Sequence, residues 1–282
     1  MVRSSKFLIL MRRAVAVVEK ASQPNTMDTA FILGNGESRL MYPIKNLKGH
    51  GQIYGCNAIY RDHPHLCDHI VASDPTMHQE LVDAKKTNKF SKDTDIIGPD
   101  QLPTWNYVLP DDRESDHPRD QNFYRFWIGG DYKTGHIKRR DFSENKGSGC
   151  SAVLHAAEAG YRNILLIGFD IIGARQWELD TATISREQNN VYKNTSNYPD
   201  RLSMKAYLKY EWLYQLTQTF RRFRDTNFYY INRQEYLDSN PLLSVYFGHA
   251  HGNIRSGIYA DLKRWMDGNR QQIKWVKYPV RQ

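Results

Sequence analysis

The sequence predicts an α/β fold of the Rossmann-like kind: a mostly parallel sheet with helices on both faces and a lid-like insertion. Three observations carry this. Short apolar runs recur and end on glycine or a polar turn residue, as buried parallel strands do. The first run opens into Gly34-Asn35-Gly36-Glu37-Ser38, a strand-to-helix turn rich in glycine. Helical stretches then alternate with the later runs.

In order, residues 29–33 form the first strand and a helix is expected after the glycine turn. Residues 52–56 form the second strand, ending on Asn57, and residues 69–73 the third, ending on Asp74-Pro75. Residues 95–98 make a shorter fourth. Residues 100–146 differ: three prolines, a charged run and the aromatic cluster Phe123-Tyr124-Arg125-Phe126-Trp127 show little periodicity. A stretch of that length inside a compact domain reads as a functional insertion, here a lid. Gly147-Ser148-Gly149 then opens a small-residue helix over 150–159, stopped at Gly160. Residues 163–168 are the strongest central strand and lead to Asp170. Leu202, Ala206, Leu213, Leu216 and Phe220 mark one face of a long amphipathic helix. A strand over 227–231 and a helix near 258–266 follow. The domain is drawn at 27–250, between a basic N-terminal extension (1–26) and a basic C-terminal helix and tail (251–282).

Charge is concentrated at the ends. Of the formal +8, residues 1–26 carry +4 and residues 263–282 carry +5, leaving −1 for the body. A nearly neutral body does not predict a specific nucleic-acid groove, while the basic ends suit contact with an anionic membrane surface. Cys56, Cys67 and Cys150 are unequally spaced and predict neither a disulfide framework nor a zinc ribbon. No apolar run is long enough to span a membrane. The expected location is cytoplasmic, with peripheral membrane contact.

Glycines in a βα turn let a ligand approach peptide N–H groups, which suit phosphate. Asn35 and Ser38 add side-chain donors. A dinucleotide fingerprint would need glycine at 39, which is Arg39, and an acid closing the second strand, which is Asn57. No Lys-Ser/Thr pair follows the glycines, so the Walker pattern is absent as well. Gly147-Ser148-Gly149 is a second anion cradle, and Asp170 would bring a carboxylate to the same sheet edge for ribose. The plainer alternatives are a tight turn and a helix cap without ligand.

Taken together, Gly34-Asn35-Gly36-x-Ser38, Cys56-Asn57-x-x-Tyr60, Asp74-Pro75, Ser148-Gly149 and Gly168-x-Asp170 resemble, in order and approximate spacing, the bacterial lipooligosaccharide sialyltransferases, over roughly residues 29–175. A related pattern occurs in MptE-like pyrophosphokinase-type proteins. The first resemblance implies a metal-independent glycosyltransferase using a CMP-type nucleotide-sugar donor, without a cofactor, acting on a sugar acceptor. Asn35 and Ser148 would then contact phosphate, Asn57 the nucleotide, Asp74 the donor sugar or base, and Asp170 the ribose. The chain departs from that pattern at Glu37, where the family has proline, and at Asp74, where it has an amide. The family's general-base histidine is also missing, since none lies between His155 and His249. Asp200 as base and Tyr192 or Tyr198 as phosphate donor occupy the corresponding segment. The alternatives are a Mg²⁺-dependent nucleotide phosphotransferase using Glu37, Asp74 or Asp170, and a non-catalytic nucleotide-binding protein.

Three further patterns carry less. His63, His65, Cys67 and His69 alternate as a metal site on a strand could, but read as a surface cluster. Asp93-Thr94-Asp95 precedes its strand and reads as a cap or turn. His249 and His251 could fold back as a distant base.

Overall fold

The computed structural model describes residues 28–101, 147–171, 190–198, 206–238 and 240–280. The N-terminal extension, the insertion and Asp200 lie outside the described residues. Fourteen elements are used below: β1 (Thr29–Leu33), β2 (Gln52–Cys56), β3 (His69–Val71), α1 (Pro75–Lys86), β4 (Asp95–Ile97), α2 (Ser148–Glu158), β5 (Asn163–Ile167), α3 (Ala206–Arg222), β6 (Asn227–Asn232), α4 (Gln234–Asp238), α5 (Pro241–Phe247), β7 (Ile254–Ile258), α6 (Tyr259–Met266) and β8 (Val276–Lys277). The eight strands form one sheet in the order β4-β3-β2-β1-β5-β6-β7-β8. Seven strands are parallel, and β8 alone is antiparallel, against β7.

Strand β1 is buried along its whole length, and each face of the sheet has its own core. On one face Ala30, Ile32, Tyr54 and Leu166 pack with Ala152, Ala156, Leu216 and Phe220 from α2 and α3. On the other Phe31, Leu33, Ile53 and Leu165 pack with Met77, Leu81, Leu262 and Trp265 from α1 and α6. Period-two alternation sends successive strand residues to opposite cores. The α/β, Rossmann-like architecture is therefore present, with helices on both faces.

Two differences have local causes. No α-helix follows the first glycine turn; the chain makes two 3-10 turns, Glu37–Met41 and Ile44–Leu47, because Tyr42-Pro43 interrupts the run. The sheet also continues past residue 250. Ile254–Ile258 adds a full parallel strand beside β6, so the C-terminal segment builds the sheet. Gly160 takes φ +88° just beyond α2, as a C′ residue does.

Candidate functional site

The order of strands reverses between β1 and β5, and in such sheets ligands sit beyond the strand C-termini at that crevice. Here the loops after β1 and β5 bind each other. Gly34 N donates to Ile167 O at 2.8 Å, Gly36 N to Gly168 O at 2.8 Å, and Ser38 N to Asp170 Oδ2 at 2.8 Å. A Cβ on Gly34 would lie 2.4 Å from Gly168 O, and one on Gly36 would lie 2.6 Å from both that oxygen and Asp170 Cγ. These glycines make room for backbone. Asp170 is mostly enclosed; its other oxygen accepts from Asn232 Nδ2 at 2.9 Å. Burial pushes its carboxyl pKa up, opposed by the bonds from Ser38 and Asn232. The residue expected to take ribose thus ties the first turn to β6. Tyr259 lies 3.1 Å from Ser38 Oγ.

Arg39, where a dinucleotide fingerprint would have glycine, is 1% exposed. Its Nη1 reaches Gly34 O at 3.3 Å and Asn35 Oδ1 at 3.4 Å; its Nη2 reaches Asp62 at 2.9 Å and the Tyr192 hydroxyl at 2.7 Å. A buried guanidinium persists only when paired and hydrogen-bonded, and this one is. Tyr192 also hydrogen-bonds Asp62. Its hydroxyl pKa is raised, first by burial. Sequence reasoning treated Arg39 as a missing glycine and overlooked it as the centre of a network.

The rest of this edge lies towards β2 and β3. Asn57 follows β2 with φ +53°, a left-handed conformation that asparagine tolerates better than most residues. Its side chain faces the Tyr198 hydroxyl, while its buried Oδ1 has no partner among the described residues. Asn35 Nδ2 donates to the same hydroxyl at 3.1 Å. Burial pushes Tyr198 up to about 12, so it stays protonated. The α2 N-terminus begins at the same strand edge. Ser148 Oγ lies 2.9 Å from Ser73 Oγ and accepts from Ser73 N at 3.0 Å, and Cys150 joins Cys56 in one core cluster. The first-turn amides Ser148, Gly149 and Cys150 have no acceptor within the helix, by helix geometry. Gly149 lies against Phe169, which a Cβ would approach to 3.0 Å.

Residues 190–198 form a strap over this edge. Val191 N donates to Asn35 O at 2.8 Å, and Lys193 pairs with Glu37 at 2.8 Å. Arg61 holds Thr195 Oγ1 at 2.8 Å and Ser196 O at 3.0 Å while pairing with Glu80, which also accepts from Asn197. Of the expected site residues, Asn35, Asn57 and Tyr198 come together, with the Tyr192 ring 5.9 Å from that of Tyr198; Ser148 meets Ser73 at the end of β3, Gly149 meets Phe169, and Gly36 packs on Gly168 and Asp170. Asp74 caps α1, accepting from Met77 N at 3.0 Å. Gly168 takes φ +72° and supports the Gly34 turn.

The remaining patterns stand apart. Residues 62–68 run as turns, Cys67 is buried, and His69 stacks on Tyr54 at 4.4 Å. Among the described residues no group of three His, Cys, Asp or Glu could hold a metal. His249 and His251 precede β7, at the sheet edge opposite this site. Among the described residues no helix is long and apolar enough to cross a membrane. The chain matches no protein-family model, no curated protein and no solved structure.

Proposed function

We propose that the chain binds a mononucleotide at the β1–β3 edge and transfers a sugar from a CMP-type nucleotide-sugar, without a metal. One observation carries this reading: Asn35, Asn57 and Tyr198 converge at the strand edge where α2 also begins, with Asn57 Oδ1 left as a buried acceptor and the first amides of α2 without acceptors in the helix. Helix amides and the positive end of the helix dipole favour phosphate, and an unpaired amide oxygen suits a base or sugar donor. The phosphate belongs at the α2 turn in this reading, because three amides of the Gly34–Ser38 turn already have protein acceptors. A protonated Tyr198 can donate to a departing phosphate.

The Mg²⁺-dependent alternative loses ground. Each carboxylate it would recruit is engaged: Asp170 by Ser38 and Asn232, Asp74 by Met77, Glu37 by Lys193. Non-catalytic binding keeps one observation in its favour, since the Tyr192 hydroxyl is committed to Asp62 and Arg39.

Calorimetric titration with CMP, CDP, GTP and ATP, each with and without Mg²⁺, tests the binding step. CMP or CDP should bind without the metal and lose affinity in Asn57→Ala; binding only of ATP or GTP, and only with Mg²⁺, overturns the reading. Release of CMP from a CMP-sugar separates an enzyme from a binder.

A further inference from the structure

The N-terminal edge of the sheet, opposite the nucleotide site, divides by charge. Parallel pairing puts the starts of β5, β6 and β7 side by side: Asn163 pairs with Asn227, and Phe228 with Ile254. The antiparallel β8 brings Lys277 against Arg255, and Val280 lies where a Cβ on Gly252 would meet it at 3.5 Å. The segments gathered at this corner, 158–163, 221–227, 249–255 and 276–280, hold Arg162, Arg221, Arg222, Arg224, Arg255 and Lys277 against Glu158 and Asp225. That is 6 − 2 = +4, half of the chain's formal +8. Under β1–β4 the same edge is mixed, with Asp28, Asp68, Asp93 and Asp95 beside Lys89 and Lys92.

Arg162, Arg221, Arg222, Arg224 and Lys277 are all exposed. Arg222 pairs with Glu158 at 3.0 Å, and Arg255 leans on Asn227 and Tyr229; the other four make no ion pair among the described residues. The field is felt locally: the pKa of His251 is held down by slight burial, then by Arg224 and Arg221. Beside these cations Val276 is 54% and Val280 57% exposed, two of the four exposed large hydrophobics among the described residues. Clustered guanidinium and ammonium groups with aliphatic side chains between them match an anionic bilayer, where headgroups meet the cations and acyl chains the valines. A duplex would use the cations and leave the valines in water.

We propose that this basic corner, formed by the starts of β5–β7 and by β8, docks on an anionic membrane surface and leaves the nucleotide edge facing away from it. The docking itself does not rest on the nucleotide reading; only the outward placement of that edge does. The full chain should co-sediment with vesicles of phosphatidylcholine mixed with phosphatidylglycerol and not with phosphatidylcholine alone. Reversing two cations in Arg221→Glu/Arg224→Glu should lower partitioning roughly tenfold or more, because each basic residue near such a surface contributes about fivefold. Val280→Asp should weaken it further. Lys89→Glu/Lys92→Glu makes the same charge change on the mixed half of the edge and should bind as the parent does. Circular dichroism checks that each variant is folded. Equal binding by the Arg221/Arg224 variant and the parent overturns the proposal. So does binding to a short DNA duplex through these arginines with no binding to vesicles.

Discussion

The two glycine turns of this chain look alike in sequence and differ in what they leave open. The Gly34–Ser38 turn is closed from within, since the loop after β5 accepts from the amides of Gly34, Gly36 and Ser38. At Gly147–Gly149 the Ser148 side chain binds Ser73, and the first amides of α2 remain without helical acceptors. Glycine therefore marks close approach in both places, but close approach of backbone in the first. An anion cradle is defined by which amides remain unpaired, and glycine content alone does not reveal that.

The largest effect should come from filling the first turn. Gly36→Ala puts a methyl within 2.6 Å of Gly168 O and Asp170 Cγ. Loop backbone yields poorly, so a loss of about 3 kcal/mol or more in urea unfolding is expected. Gly149→Ala meets only an aromatic edge at 3.0 Å and gains helix propensity, so it should change stability by about 1 kcal/mol or less. A stable Gly36→Ala protein that had lost nucleotide binding would invert the comparison and make the first turn the cradle. Next in size is Arg39→Met, which strips the first turn of its tie to Tyr192 and Asp62. Asp62 is 36% exposed and can turn to water, so a cost of about 2 kcal/mol is expected, as for losing hydrogen bonds to a charged group. At the second turn, Ser148→Ala removes only the contact with Ser73. It should cost about 1 kcal/mol of stability, with a clear loss of CMP affinity in calorimetry.

The turns should also separate by pH. Asp170 has a raised pKa in the folded state, so its protonated form contributes stability below about pH 4, lost as pH rises through the folded value. His155 on α2 is depressed by burial and by His69, so its contribution is present above about pH 6.5 and lost as pH falls through the folded value. Asp170→Asn holds the neutral form at every pH, so it should remove the loss of urea midpoint that the parent shows as pH rises past about 4. His155→Gln should flatten the decline that starts below about pH 6.5.

Strands were the legible part of the fold, because β1, β2, β5 and β6 are continuous apolar runs, a pattern dictated by burial on both faces. Ile254–Ile258 was not, since Arg255, Ser256 and Gly257 interrupt it and only the neighbours β6 and β8 make it a strand. Asp74-Pro75 carried a helix-start signal that was read as a ligand contact; an N-cap acid before an N1 proline is the more local explanation. At the site, Asn35, Asn57, Ser148 and Tyr198 could be picked out by residue type beside turns. Arg39 could not, because burial of a charge depends on partners at positions 62 and 192, which lie far apart in the chain.

That separation has a consequence for the order of synthesis. When the ribosome has released β1 and its turn, neither Gly168, Asp170 nor Tyr192 yet exists, so the amides of the turn can only face water and Arg39 has only its nearer partners, Gly34, Asn35 and later Asp62. The acceptor of the Ser38 amide and the Tyr192 hydroxyl arrive more than a hundred residues later. The nascent first half should therefore stay protease-sensitive around residues 34–39 until the strap at 190–198 emerges, and truncation before Tyr192 should leave that sensitivity in the finished fragment.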